Sequence, residues 1–241
     1  LLLATLYTAV AATLIYGCVF GWAHFTGLFK QAAASIAAGD ISTCLGLFIA
    51  AALAALSRLA ASLLIYFALS LAILTLARIR GGKAWRSLIA WKPWSIWRAK
   101  RSYWIIGGCA LVYSLIANAA IAYLYPPSKD WFSVPHDNLS SALQLFVLAV
   151  IFAPIAEELM FRGWIYTALR ARFGFWIALF VSSAIFAGLH YEDTHIYALA
   201  VFPVGLALGA LRETSGSLKA SISFHAFFNM VAFGLALLDL G

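Results

Sequence analysis

Long apolar runs separated by short polar stretches are the dominant pattern of this chain. A helix needs about 20 apolar residues to cross a bilayer. The runs predict about seven spans, near residues 1–26, 44–77, 103–125, 140–169, 174–191, 196–211 and 218–239. The second run fits one tilted or projecting helix, or two short ones with Arg58 at the break. The sixth is short and carries Pro203, Gly205 and Gly209. The predicted fold is all-α, a polytopic transmembrane helix bundle without internal repeat or low-complexity linker. Residues 1–20 are too apolar throughout for a signal-peptide core and lack a clear cleavage site. The first residue is Leu1, which reads as a chain trimmed at its start.

Composition agrees with this pattern. The chain is 64% hydrophobic and 10% charged, with a mean hydropathy of +0.94. A soluble domain carries about 25% charged residues.

Charge then orients the spans. Of the 16 basic residues, eight (Arg78, Arg80, Lys83, Arg86, Lys92, Arg98, Lys100 and Arg101) lie between spans two and three. Arg170 and Arg172 lie between spans four and five, and Arg212 and Lys219 between six and seven. All of these loops fall on one side, so the positive-inside rule makes them cytoplasmic, with the N-terminus inside and the C-terminus outside. Topology and attraction to anionic lipid headgroups account for the net charge of +7 without a nucleic-acid partner. Residues 84–104 set Trp85, Trp91, Trp94, Trp97 and Trp104 among basic residues and read as an interfacial segment. The organisation expected is an N-terminal transmembrane region, 1–125, with a basic Trp-rich loop at 78–102, followed by a membrane core at 140–235. Cys18, Cys44 and Cys109 are isolated and read as packing residues.

Few strongly polar side chains fall inside the spans. Apart from Arg58, Asn118 and Gln144, they form three clusters: Glu157/Glu158/Arg162, His190 and His225/Asn229. An ionisable cluster within a membrane is costly and by default marks a functional site. On a helix, Glu158 and Arg162 share a face with the acid N-terminal, the favourable order. Glu157 projects about 100° away, and no residue one turn from it in the sequence is basic. Such a carboxylate suits general acid–base chemistry. A buried ion pair that only fixes packing is the alternative for Glu158 and Arg162. His190 closes its span one turn after Phe186, where an interfacial role is the simpler reading. His225 and Asn229 share a face and can donate hydrogen bonds together, as an oxyanion site requires, or can glue helices together. Together the clusters hold the parts needed to activate a water and stabilise a tetrahedral intermediate.

The ordered pattern Glu-Glu-x-x-x-Arg, Phe-x-x-x-His and His-x-x-x-Asn on separate membrane helices resembles the CPBP family of CAAX-protease and bacteriocin-processing proteins. The resemblance covers roughly residues 140–235. It includes the Gly205-Leu-Ala-Leu-Gly209 stretch and the Arg-Glu-Thr-Ser-Gly-Ser-Leu turn before the last span. It implies a glutamate-dependent intramembrane endopeptidase that needs no metal or other cofactor and acts on a membrane-associated or lipid-anchored peptide or protein. By the same resemblance, Glu157 with His190 would activate the hydrolytic water. His225 and Asn229 would form the oxyanion hole, with Glu158 and Arg162 in support. The protein would be an integral multi-pass membrane protein, in the cell membrane if prokaryotic. Substrate identity and oligomeric state stay open.

Two further readings compete. A zinc protease would use Glu157, His190, His225 and His195, but no His-Glu-x-x-His is present. A non-catalytic transporter or immunity protein would keep the fold, but the chain lacks the two related halves common in transporters. One tension also stands. With simple spans, Glu157 lies about 25 Å from the outer end of its helix, while His190 falls near the outer face. Tilt, an inward-set fifth span or a water-filled cleft would each reconcile them.

Overall fold

The structure, a computed structural model, describes residues 62–124, 139–191 and 195–237. The expected first span and most of the second, with Arg58, lie outside the described residues, as does the stretch 125–138 between the expected third and fourth spans. The chain divides into two compact units, Leu1–Leu69 and Ser70–Gly241. The second holds every candidate residue.

Among the described residues the fold is entirely helical. Helix α1 covers Ser62–Leu88 and α2 covers Arg101–Leu124. Helix α3 runs without a break from Leu139 to Phe173. Helices α4 (Phe175–Gly188), α5 (His195–Ser215) and α6 (Leu218–Leu237) follow. Five of the six are long and apolar enough to cross a membrane by length and composition; α4 is the exception. Their outward faces carry exposed apolar side chains, such as Ile105, Val112 and Ile116 on α2 and Trp176, Phe180 and Val181 on α4. In water such a surface would be unfavourable; against lipid tails it is neutral.

Three departures from the expected spans shape the site. Helix α5 has 21 residues and continues through Pro203, so the short sixth span is a full-length helix. Helix α4 has 14 residues, about 21 Å at 1.5 Å per residue, which is shorter than a bilayer core of about 30 Å. Helix α3 is not a uniform α-helix. Its α-helical parts, Leu139–Phe146, Ala153–Glu158 and Tyr166–Phe173, alternate with π-helical turns at Val147–Phe152 and Leu159–Ile165. The two π turns bracket Glu157 and Glu158.

The packing explains why α4 and α5 stay close. Helix α5 lies between α4 and α2, and α6 lies against the central part of α3. A Cβ on Gly205 would crowd Ser183 and Phe186, and one on Gly209 would overlap Leu179. The two glycines thus let α5 approach α4 at close range, as small residues do in membrane bundles. Gly174, with φ +85°, turns α3 directly into α4, a conformation that strains any side chain with a Cβ. Below the turn Tyr166, Ala178 and Leu179 form a buried cluster, and Phe146 meets Phe233 edge-on at 5.3 Å near the other end.

Candidate active site

Glu158 and Arg162 are both fully buried, and Arg162 Nη1 donates to Glu158 Oε1 at 2.8 Å. Arg162 Nη2 donates to the Gly205 carbonyl oxygen of α5, also at 2.8 Å. Burying two charges is costly unless geometry and further hydrogen bonds offset the desolvation. Here the pair gains a third partner, since His225 Nδ1 lies 3.1 Å from the same Glu158 Oε1. With Glu158 ionised the carboxylate can only accept, so Nδ1 carries the hydrogen.

The other nitrogen of that ring faces Glu157. His225 Nε2 is 3.8 Å from Glu157 Oε2. The imidazole therefore stands between two adjacent carboxylates of a neighbouring helix. Glu157 keeps 16% of its side chain exposed, against 0% for Glu158. The helical period separated the two glutamates by direction, and the fold separates them by environment. On α6, His225 supplies Glu157 with a neighbour from another helix.

Phe186 connects the second histidine to this group. Its ring centre lies 4.5 Å from that of His190 and 5.8 Å from that of His225. Arg162 Cζ sits 4.5 Å from the centre of the same ring, within cation–π range. His190 Nδ1 is 2.8 Å from the Phe186 carbonyl oxygen. A carbonyl only accepts, so Nδ1 donates and Nε2 is left with its lone pair in the neutral ring. Helix α4 bears on the depth of His190. Glu158 and His190 are equidistant in sequence from Gly174, so the short antiparallel hairpin returns His190 to the level of the glutamates. The short α4 is what an inward-set fifth span would require.

Asn229 is placed differently from the other five candidates. Its Nδ2 donates to the carbonyl oxygen of Ala149 in the first π turn of α3, at 2.8 Å. A carboxamide has two N–H groups, so one is engaged here and the other is outside this bond. The two main-chain acceptors, Gly205 O and Ala149 O, were not foreseen from the residues. A backbone carbonyl carries no side-chain signature, and only the Gly205-x-x-x-Gly209 spacing hinted at a close approach. Among the described residues, no group of three or more His, Cys, Asp or Glu side chains is arranged to hold a metal ion. The side chain of His195 lies outside the described residues.

Residues 139–231 match the family described as type II CAAX prenyl endopeptidase Rce1-like. A curated relative, an uncharacterized 24.3 kDa protein of Escherichia coli, is 30% identical over 131 residues, covering 51% of this chain. The match spans 58% of that relative's length. No solved structure matches the chain. The match holds all three polar clusters and the helices that bring them together, so residues 139–231 are similar to the Rce1-like group of the CPBP family, over less than half of the chain.

Proposed function

We propose that the protein is an intramembrane endopeptidase in which Glu157 and His190 activate water against a peptide bond of a membrane-associated or lipid-anchored substrate. The observation that carries this reading is the asymmetric glutamate pair around His225. Glu158 is fully buried and bound to Arg162, whereas Glu157 is partly exposed, with His225 Nε2 at 3.8 Å. One carboxylate holds the scaffold and the other remains accessible for chemistry.

In the proposed step, a water held by Glu157 and His190 Nε2 attacks the scissile carbonyl carbon. Its proton passes to Glu157, and the carbonyl oxygen becomes an oxyanion. His225 and the second N–H of Asn229 stabilise that charge. As a donor through Nε2, with Nδ1–H given to Glu158, His225 acts in its doubly protonated form. The carbon–nitrogen bond then breaks, and the proton on Glu157 goes to the leaving amine. The products are a carboxylic acid and an amine. Glu158 and Arg162 orient His225 and take no proton. No resident metal enters this scheme.

The same reading keeps seven spans, a cytoplasmic N-terminus, an N-terminal region at 1–125 and a catalytic core at 140–235, with the lipid bilayer as the medium of encounter. In a prokaryotic cell the bilayer would be the cell membrane. The experiment that tests it compares membrane peptides, by proteomics, between cells with the wild-type protein and cells with Glu157→Ala. Peptides that lose a cleavage product only in the variant are the expected result. An unchanged peptide set, with both proteins present at equal level, would support a non-catalytic role.

A further inference from the structure

We infer that Pro154 is a positioning residue for Asn229: by lacking an N–H it leaves the Ala149 carbonyl oxygen for the Asn229 amide, which fixes where the second N–H of that amide points. The inference rests on the proposed role of Asn229 for its catalytic consequence, but not for its structural content.

The argument follows the backbone of the first π turn. In a π turn each N–H reaches back five residues. The turn Val147–Phe152 closes with the Ala153 N–H donating to the Leu148 carbonyl oxygen, which is this spacing. The next bond in that series would join residue 154 to Ala149. Residue 154 is proline, which has no N–H to give. The series stops there, and the α-helical Ala153–Glu158 begins with Pro154 in its first turn. The Ala149 carbonyl oxygen, left at the end of the series, accepts instead from Asn229 Nδ2 at 2.8 Å. A carbonyl inside an apolar bundle needs a donor, and α6 supplies one.

The same device appears at the second π turn. Leu159–Ile165 closes with the Tyr166 N–H on the Phe161 carbonyl oxygen, again five residues back. The next acceptor, the Arg162 carbonyl oxygen, is taken by the Thr167 hydroxyl at 3.2 Å. At both exits a side chain completes the backbone. Only at the first does that side chain come from another helix and carry a candidate catalytic donor.

A positioned amide matters because its N–H groups have fixed relative directions. One N–H held on Ala149 O prevents rotation of the carboxamide and holds the other at a set angle. Losing such alignment acts on the rate constant more than on substrate binding.

The test is Pro154→Ala in the full chain, which restores an N–H that competes with Asn229 for the carbonyl. Asn-selective ¹⁵N labelling gives three side-chain amides, Asn118, Asn138 and Asn229, and the Asn229 signal is the one lost in Asn229→Ala. We expect Pro154→Ala to shift that signal while the Asn118 and Asn138 signals stay in place. We expect kcat to fall about tenfold or more with KM little changed, while thermal stability is kept or raised, since a restored N–H adds a helix bond. In an Asn229→Ala background the same substitution should cost no further activity. An Asn229 signal that does not move in Pro154→Ala overturns the inference, as does an undiminished additional loss of activity in the Asn229→Ala background. If instead the signal moves but Asn229→Ala is fully active, the positioning holds and the catalytic reading of Asn229 is what fails.

Discussion

Arg162 and Phe186 are equidistant in sequence from the turn at Gly174, and the guanidinium carbon of Arg162 lies 4.5 Å from the centre of the Phe186 ring. That contact pins the α3–α4 hairpin at the level of the site. The ring also meets the imidazoles of His190 and His225, so one apolar side chain touches three candidate polar residues, on α3, just past the end of α4 and on α6. Phe186→Leu should keep most of the buried volume but lose the flat face. Specific activity is expected to fall several-fold while the protein stays folded. Phe186→Ala should in addition lower stability by about 3–5 kcal/mol, the cost of deleting a buried ring. Melting temperature and rate per folded molecule, measured on the same samples, separate the two effects.

The buried pair gives a second prediction. Glu158→Gln leaves Arg162 with one charge unmatched and is expected to destabilise by about 3–5 kcal/mol. Removing both charges, as in Glu158→Gln with Arg162→Met, should recover much of the thermal stability without recovering activity, because the carboxylate that holds His225 Nδ1 is still missing. A double variant less stable than the single one would contradict the ion-pair account.

Much of this site was legible from spacing alone. The 3.6-residue period puts Glu158 and Arg162 on one face, and the hydrogen bond between them follows from it. It also sets Phe186 and His190 one turn apart. Depth was not legible, because it depends on how short α4 is and on how sharply Gly174 reverses the chain. The two π turns of α3 were hidden as well, since a single wide turn barely disturbs an apolar run. They create the orphan carbonyl at Ala149, so the partner of Asn229 had no sequence signal beyond Pro154 itself. The full length of α5 was obscured by the polar run Arg212-Glu213-Thr214-Ser215, which ends the apolar stretch but not the helix.

Close approach of α5 to α4 is the third test. Gly205→Ala would place a methyl group against Ser183 and Phe186. Overpacking of this kind costs about 1–3 kcal/mol. The Gly205 carbonyl oxygen that holds Arg162 would shift with it, so both melting temperature and activity should drop. Ser183→Gly, which removes the nearest obstructing Cβ, is expected to restore part of each.

Asn229 and His225 offer a fourth. Removing one oxyanion donor costs on the order of 10²–10³ in turnover in soluble proteases. Asn229→Ala should therefore lower kcat strongly and change KM little, and His225→Ala should do the same. The double variant should fall well short of the product of the two losses, since residues acting as a unit are non-additive. If the two residues only glue helices, activity will instead follow the folded fraction.

A fifth prediction concerns metal. The proposed scheme activates water by Glu157 and His190, so exhaustive chelation in detergent should leave turnover unchanged. Loss of activity restored by zinc, with about one zinc per chain by elemental analysis, would favour a metal-bound water.

The most direct test of the account is the turnover of purified, folded Glu157→Gln protein on a peptide identified by the proteomic comparison. The substitution keeps the shape of the side chain and its contact with α6 but removes the base. The account predicts a melting temperature close to wild type and no detectable cleavage per folded molecule. Substantial cleavage by that folded variant would remove Glu157 from the mechanism and contradict the central claim.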